Sequence, residues 1–173
     1  MPTITAGDIL IPLEQYPHIP YWFTLRQAIA EMEKSELNIG GRKSLPRALL
    51  VFDEKYALLG IARRRDILQG LEPKFMQKTH QPQRQAFEVE VDDSLLELSS
   101  DRALEKMKEM AEQPVSDIMR PIEATVAAGD SLFKVIYVLI KHDLNLVPVL
   151  RKDKVVGVVR SVDVFHEVAK VIL

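Results

Sequence analysis

Two nine-residue stretches place an arginine and an aspartate at the same spacing: GIARRRDIL from Gly60 to Leu68, and GVVRSVDVF from Gly157 to Phe165. In each, a glycine and two apolar residues precede Arg63 or Arg160, and the aspartate, Asp66 or Asp163, follows three residues later. The apolar pairs Ile61-Ala62 and Val158-Val159 read as strand, and the residues after each arginine read as the opening of a helix. The arginine then stands at a strand end, with the aspartate one helical turn on and on the same side. An aspartate there meets unpaired helix amides and the positive end of the helix dipole, so it stabilises the helix without any ligand. The pair has two uses. It forms an internal bridge, worth about 0–1 kcal/mol if exposed, or its guanidinium turns to an anionic group such as a phosphate.

Other chemistries lack their residues. The chain contains no cysteine, which excludes disulfides, zinc-thiolate sites and thiol nucleophiles and fits a cytoplasmic protein. His18, His80, His142 and His166 have no metal-ligand spacing, so no metal site is expected. There is no G-x-S-x-G, P-loop or G-x-G-x-x-G. Gly40-Gly41-Arg42-Lys43-Ser44 resembles a phosphate loop only in composition and reads as a mobile loop. Asp92-Asp93 reads as the turn before SLLEL, and Tyr21 and Trp22 read as packing at the entrance of a helix. No catalytic residue is assigned, and no catalytic cofactor is expected.

Arg63-Arg64-Arg65 suggests nucleic acid, but the patch is short, lacks interleaved aromatic residues and lies in a chain of net charge -2. Neither nucleic acid nor membrane is expected as a partner. The apolar stretch LFKVIYVLI, interrupted by Lys134, is too short to span a bilayer. MPTITAGDIL lacks the features of a signal peptide. An apolar content of 47% excludes a disordered chain.

The elements that must position the two pairs are themselves duplicated. GDILIP from Gly7 matches SDIMRP from Ser116. Leu132, Val135, Ile136, Leu139 and Ile140 form one helical face after Ser131; Leu25, Ala28, Ile29 and Met32 begin the same face after Thr24. LVPVL and VVGVV, divided by Arg151 to Lys154, read as a hairpin; so do ALLVF and ALLGIA, divided by Asp53 to Tyr56. The expected fold is α/β (α+β): two pseudo-symmetric β-α-β-β-α repeats, each with a three-stranded sheet, packed sheet to sheet. The first repeat occupies residues 1–72 and the second 114–173. Between them, residues 73–113 form a linker with a polar stretch, MQKTHQPQRQ, and a helix opening at Ser100 or Asp101 with Leu104, Met107 and Met110 on one face. GGRKSLPR, around Gly40 to Arg47, reads as an inserted loop in the first repeat.

The ordered set resembles a pair of CBS domains, the tandem known as a Bateman module, in a stand-alone protein. LVPV and GVVRSVD of the second copy carry the resemblance best. In the first copy Leu50 replaces the motif proline and the insertion interrupts the pattern. The resemblance implies a non-catalytic regulatory module binding an adenosine-containing ligand: AMP, ADP, ATP or S-adenosylmethionine. It assigns ribose binding to Asp163 and Asp66, and an adenine pocket to Val126, Val147 and Pro148 in the second copy and Ile19, Leu49 and Leu50 in the first. Those apolar residues fit a core equally well. Arg160 and Arg63 stand where the family has threonine or serine, exchanging a hydroxyl for a phosphate-gripping guanidinium, with Ser161 beside Arg160 able to restore the hydroxyl. The second copy is expected to hold the better site. A homodimer is also expected, because VDVFHEVAKVIL carries more apolar positions than one core-facing side needs. An effector protein would be the regulated partner. The alternative is a structural dimerisation or interaction module with vacant clefts; a third reading is a small enzyme whose site lies in the insertion and linker.

Overall fold

The computed structural model describes residues 3–73 and 100–173. His80, the Asp92-Asp93 turn and the polar stretch MQKTHQPQRQ lie outside the described residues.

The chain begins with α1 (Ala6–Ile9) and β1 (Ile11–Pro12), then β2 (His18–Pro20) and α2 (Leu25–Lys34). Thr24 caps α2, its hydroxyl accepting the Gln27 N–H at 3.2 Å. Next come β3 (Leu37–Ile39), β4 (Arg42–Ser44), β5 (Ala48–Phe52), β6 (Leu58–Arg63) and α3 (Arg64–Leu71). The second half holds α4 (Ser100–Met110), β7 (Arg120–Pro121), β8 (Val126–Ala127), α5 (Leu132–Lys141), β9 (Leu146–Arg151), β10 (Lys154–Arg160) and α6 (Ser161–Ile172). The expected helices and both expected hairpins are present, and Ser131 caps α5 as its position implies.

Two expectations are corrected. GGRKSLPR is no loop: β3 and β4 pair antiparallel, with Leu37 opposite Ser44 and Ile39 opposite Arg42. Gly40 and Gly41, at φ 57° and 81°, make the two-residue turn between them, a conformation that glycine alone enters without strain. Nor are the main sheets three-stranded. Their orders are β2-β5-β6-β7 and β1-β10-β9-β8. The lead-in strand of each repeat has crossed to the sheet of the other. β1 pairs with β10, Pro12 opposite Gly157, and β7 pairs with β6, Gly60 opposite Pro121.

The glycine that opens each repeated phrase makes this exchange possible. A Cβ on Gly60 would lie 2.5 Å from the Arg120 carbonyl oxygen, and one on Gly157 would sit still closer to that of Ile11. Only a residue without a side chain lets the crossing strand approach.

The packing follows the exchange. The first core joins Ile19, Leu25, Leu49, Val51 and Ile67 to Ala111, at the end of the linker, and to Val115 just after it. The second joins Val126, Val135, Val147, Val149 and Val159 to Ala6 from the chain start. A third cluster lies between the sheets, built from Ile11, Tyr16, Leu37, Leu50, Phe52, Leu146 and Val158. α4 packs beside α3; Met110 and Ala111 reach the first core, whereas Leu104 and Met107 remain exposed. No helix among the described residues is long and apolar enough to cross a membrane.

Candidate functional site

β6 ends at Arg63, which caps α3 and leaves Asp66 in the first helical turn. Asp66 is 4% exposed and accepts four hydrogen bonds. Arg63 gives three: its N–H at 3.0 Å and Nε at 2.8 Å to Oδ2, and Nη2 at 2.9 Å to Oδ1. The fourth comes from Arg120 on β7, whose Nε reaches Oδ1 at 2.9 Å. Four donors fill the roughly four acceptor positions of a carboxylate. Burial pushes the Asp66 carboxyl up, but the bonds from Arg63 and Arg120 outweigh it and hold it at about 2. The same pairing raises the Arg63 guanidinium above its ordinary value.

The second pair is built differently. Arg160, the last residue of β10, donates from Nε to Asp163 Oδ2 at 2.7 Å and from Nη2 to Oδ1 at 2.8 Å. No third donor reaches Asp163 among the described residues, so about two acceptor positions stay open. Arg160 Nη1 donates to Ser44 Oγ at 3.0 Å. The two side chains are only 13% and 12% exposed, against 41% for Arg63. Tyr16 is buried close enough to feel both charges, and its phenol donates to the Ala48 carbonyl at 2.7 Å. Burial pushes that phenol above its ordinary value.

The arginine–aspartate pairing read from the spacing is therefore present in both repeats, as an internal bridge each time. Ser161 opens α6, half-buried, with its N–H donating to Asn145 O at 2.8 Å. The hydroxyl that meets Arg160 belongs instead to Ser44. Ile19, Leu49, Leu50, Val126, Val147 and Pro148 are all buried. Ile19 and Leu49 lie in the first core, Leu50 between the sheets, and Val126 and Val147 in the second core. Pro148, on β9, stands opposite Val158. At Leu50 the N–H that proline would lack donates to the Pro17 carbonyl at 3.3 Å.

The sequence reading missed Arg120, Ser44 and Tyr16. Only Arg120 had a signal: it lies in SDIMRP, the counterpart of GDILIP, and strand exchange carries it to Asp66.

The family model of the CBS domain matches residues 115–170. No curated protein matches the chain. Among solved structures, CBSX2 in complex with AMP, a protein from Arabidopsis thaliana, superposes at a TM-score of 0.62 with 18% identity, over 96% of this chain and 97% of that one. The CBS domain of a CBS domain containing membrane protein from Sphaerobacter thermophilus gives 0.66 and 20%, over 95% and 87%. The cytosolic domain of the Mg2+ channel MgtE in complex with ATP gives 0.59 and 17%, over 94% of this chain and 48% of that one. The second repeat thus matches the CBS-domain family, within a chain that has the fold of a tandem CBS-domain pair.

Proposed function

We propose that the chain is a non-catalytic sensor of an adenosine-containing ligand, with its principal site at Asp163 and Arg160. One observation carries this choice of site: Asp163 retains about two open acceptor positions while Asp66 is saturated. A ribose offers two neighbouring hydroxyl donors, so it suits Asp163 with the Arg160 bridge left in place. At Asp66 it would have to displace arginine from a buried carboxylate. The AMP and ATP complexes among the structural neighbours support a nucleotide as ligand; regulation of an effector protein within the cytoplasm completes the proposal. A ligand favouring one arrangement of two repeats that share their edge strands would shift the whole module toward it.

Calorimetric titration with AMP, ATP and S-adenosylmethionine tests the reading. Asp163→Ala weakens nucleotide binding by about 1–3 kcal/mol, read beside a circular-dichroism check of folding because Arg160 is left buried without its partner, and Asp66→Ala weakens it less. Absence of binding by every ligand leaves the second reading, a dimerisation module.

That second reading has its own observation. On α5 and α6, Phe133 is 80% exposed, Ile140 75% and Phe165 74%. α4 packs beside α3 and leaves these side chains exposed, which suits pairing with a second copy. A homodimer belongs to both readings.

A further inference from the structure

Arg160 directs two of its three guanidinium nitrogens at Asp163 and the third, Nη1, at Ser44. Ser44 comes from the first repeat's insertion, so the second-repeat site is closed by a segment of the other repeat. The hairpin is fastened along β3 and again just beyond β4, where Pro46 is fully buried and the Arg47 carbonyl accepts the Arg64 N–H at 3.0 Å. Leu37 of β3 is 2% exposed within the cluster between the sheets, and Ile39 packs against the same cluster. β4 is held by its pairing to β3, by the Lys43–Glu36 ion pair at 3.6 Å and by Ser44 on Arg160. Arg42 and Lys43 are exposed, and the Gly40-Gly41 tip stands in open space.

A serine hydroxyl is a neutral partner for a guanidinium. A phosphate oxygen is an ionised one, so its bond to the guanidinium adds an attraction of opposite charges that Ser44 lacks. A phosphate on Nη1 would replace Ser44 without breaking either bond between Arg160 and Asp163. We propose that the β3–β4 hairpin is a strap that competes with the phosphate of a bound nucleotide for Arg160 Nη1, so that a phosphorylated ligand frees β4. This rests on the nucleotide reading above and adds a regulatory output: occupancy of the second repeat becomes visible as a loosened, basic strand on the first. It also separates ligands, because adenosine has no group to displace Ser44.

The test uses the full chain as wild type, Ser44→Ala and Ser44→Thr, with ATP and adenosine as probes. Calorimetry gives affinities, and limited trypsin digestion gives the cleavage rate after Arg42 and Lys43. The expected result is that Ser44→Ala tightens ATP binding by about three- to tenfold and leaves adenosine unchanged, while threonine restores the wild-type affinity. ATP, and not adenosine, speeds cleavage of the wild type; Ser44→Ala is cleaved rapidly without ligand. Weaker or unchanged ATP binding by Ser44→Ala, or equal changes for ATP and adenosine, overturns the strap while leaving the nucleotide reading intact. If no variant binds either probe, the nucleotide reading falls and the competition falls with it.

Discussion

Replacing Asp66 by alanine removes a buried carboxylate on which arginines from both repeats converge. Taking one partner from a buried ion pair costs about 3–5 kcal/mol when the stranded charge stays buried. Here the stranded cations are Arg63 and Arg120, whose side chains are 41% and 51% exposed, so water recovers part of the loss. The expected cost is about 2–3 kcal/mol at pH 7. The ionisation of Asp66 gives a second route to the same quantity. Its carboxyl is lowered from 3.8 to about 2, and each pH unit of such a shift corresponds to about 1.4 kcal/mol, or on the order of 2 kcal/mol in all. Because the folded value is depressed, this stability is complete above the unfolded value near 4. It is lost as pH falls toward about 2. Urea unfolding of wild type and Asp66→Ala, followed by circular dichroism, should show the full gap at pH 7 and about 1 kcal/mol at pH 2.5. A gap below about 1 kcal/mol at pH 7, or one that persists undiminished at pH 2.5, would refute the pairing as a source of stability.

Gly60→Ala and Gly157→Ala should each lower stability by about 1–3 kcal/mol, because the new Cβ pushes the crossing strand away. Gly129→Ala, which enters open space, should change the melting temperature little; equal effects at all three positions would remove the close-approach argument. Arg160→Ala should weaken ATP binding more than adenosine binding, with high salt shrinking the difference; equal losses would mean that Arg160 holds no phosphate. Light scattering at micromolar concentration should give a dimer for the wild type and a monomer for Phe133→Glu or Phe165→Glu, and a monomeric wild type would end the dimer proposal.

The sequence declared the helices because their buried faces recur over several turns, as at Leu132, Val135 and Leu139. It declared the arginine–aspartate bridges because both partners lie within one turn, where local geometry leaves few alternatives. Short strands carried no such record. β1 and β7 have two residues each, too few to show alternation, so their exchange was hidden. The recurring Gly60 and Gly157 were the available clue, although a glycine alone does not tell which backbone comes close. The hairpin of β3 and β4 was concealed by its own composition: glycine and charge suggested a loop, while one deeply buried residue, Leu37, anchors it. Arg120 reaches Asp66 across 54 residues, and Ser44 reaches Arg160 across 116. Contacts of that range follow from the topology of the sheets and from no local pattern.

The exchanged strands also impose an order on the birth of the molecule. β1 leaves the ribosome long before its partner β10 is made. Until β7 emerges the first sheet lacks its edge strand, and until the second core forms Ala6 has nowhere to bury. Neither half can finish by itself while the other is still being translated, so the nascent chain carries unpaired sheet edges until both are made. Late closure between segments so far apart in sequence favours slow, cooperative folding. It also leaves an opening in which the early strand of one nascent copy meets the late strand of another.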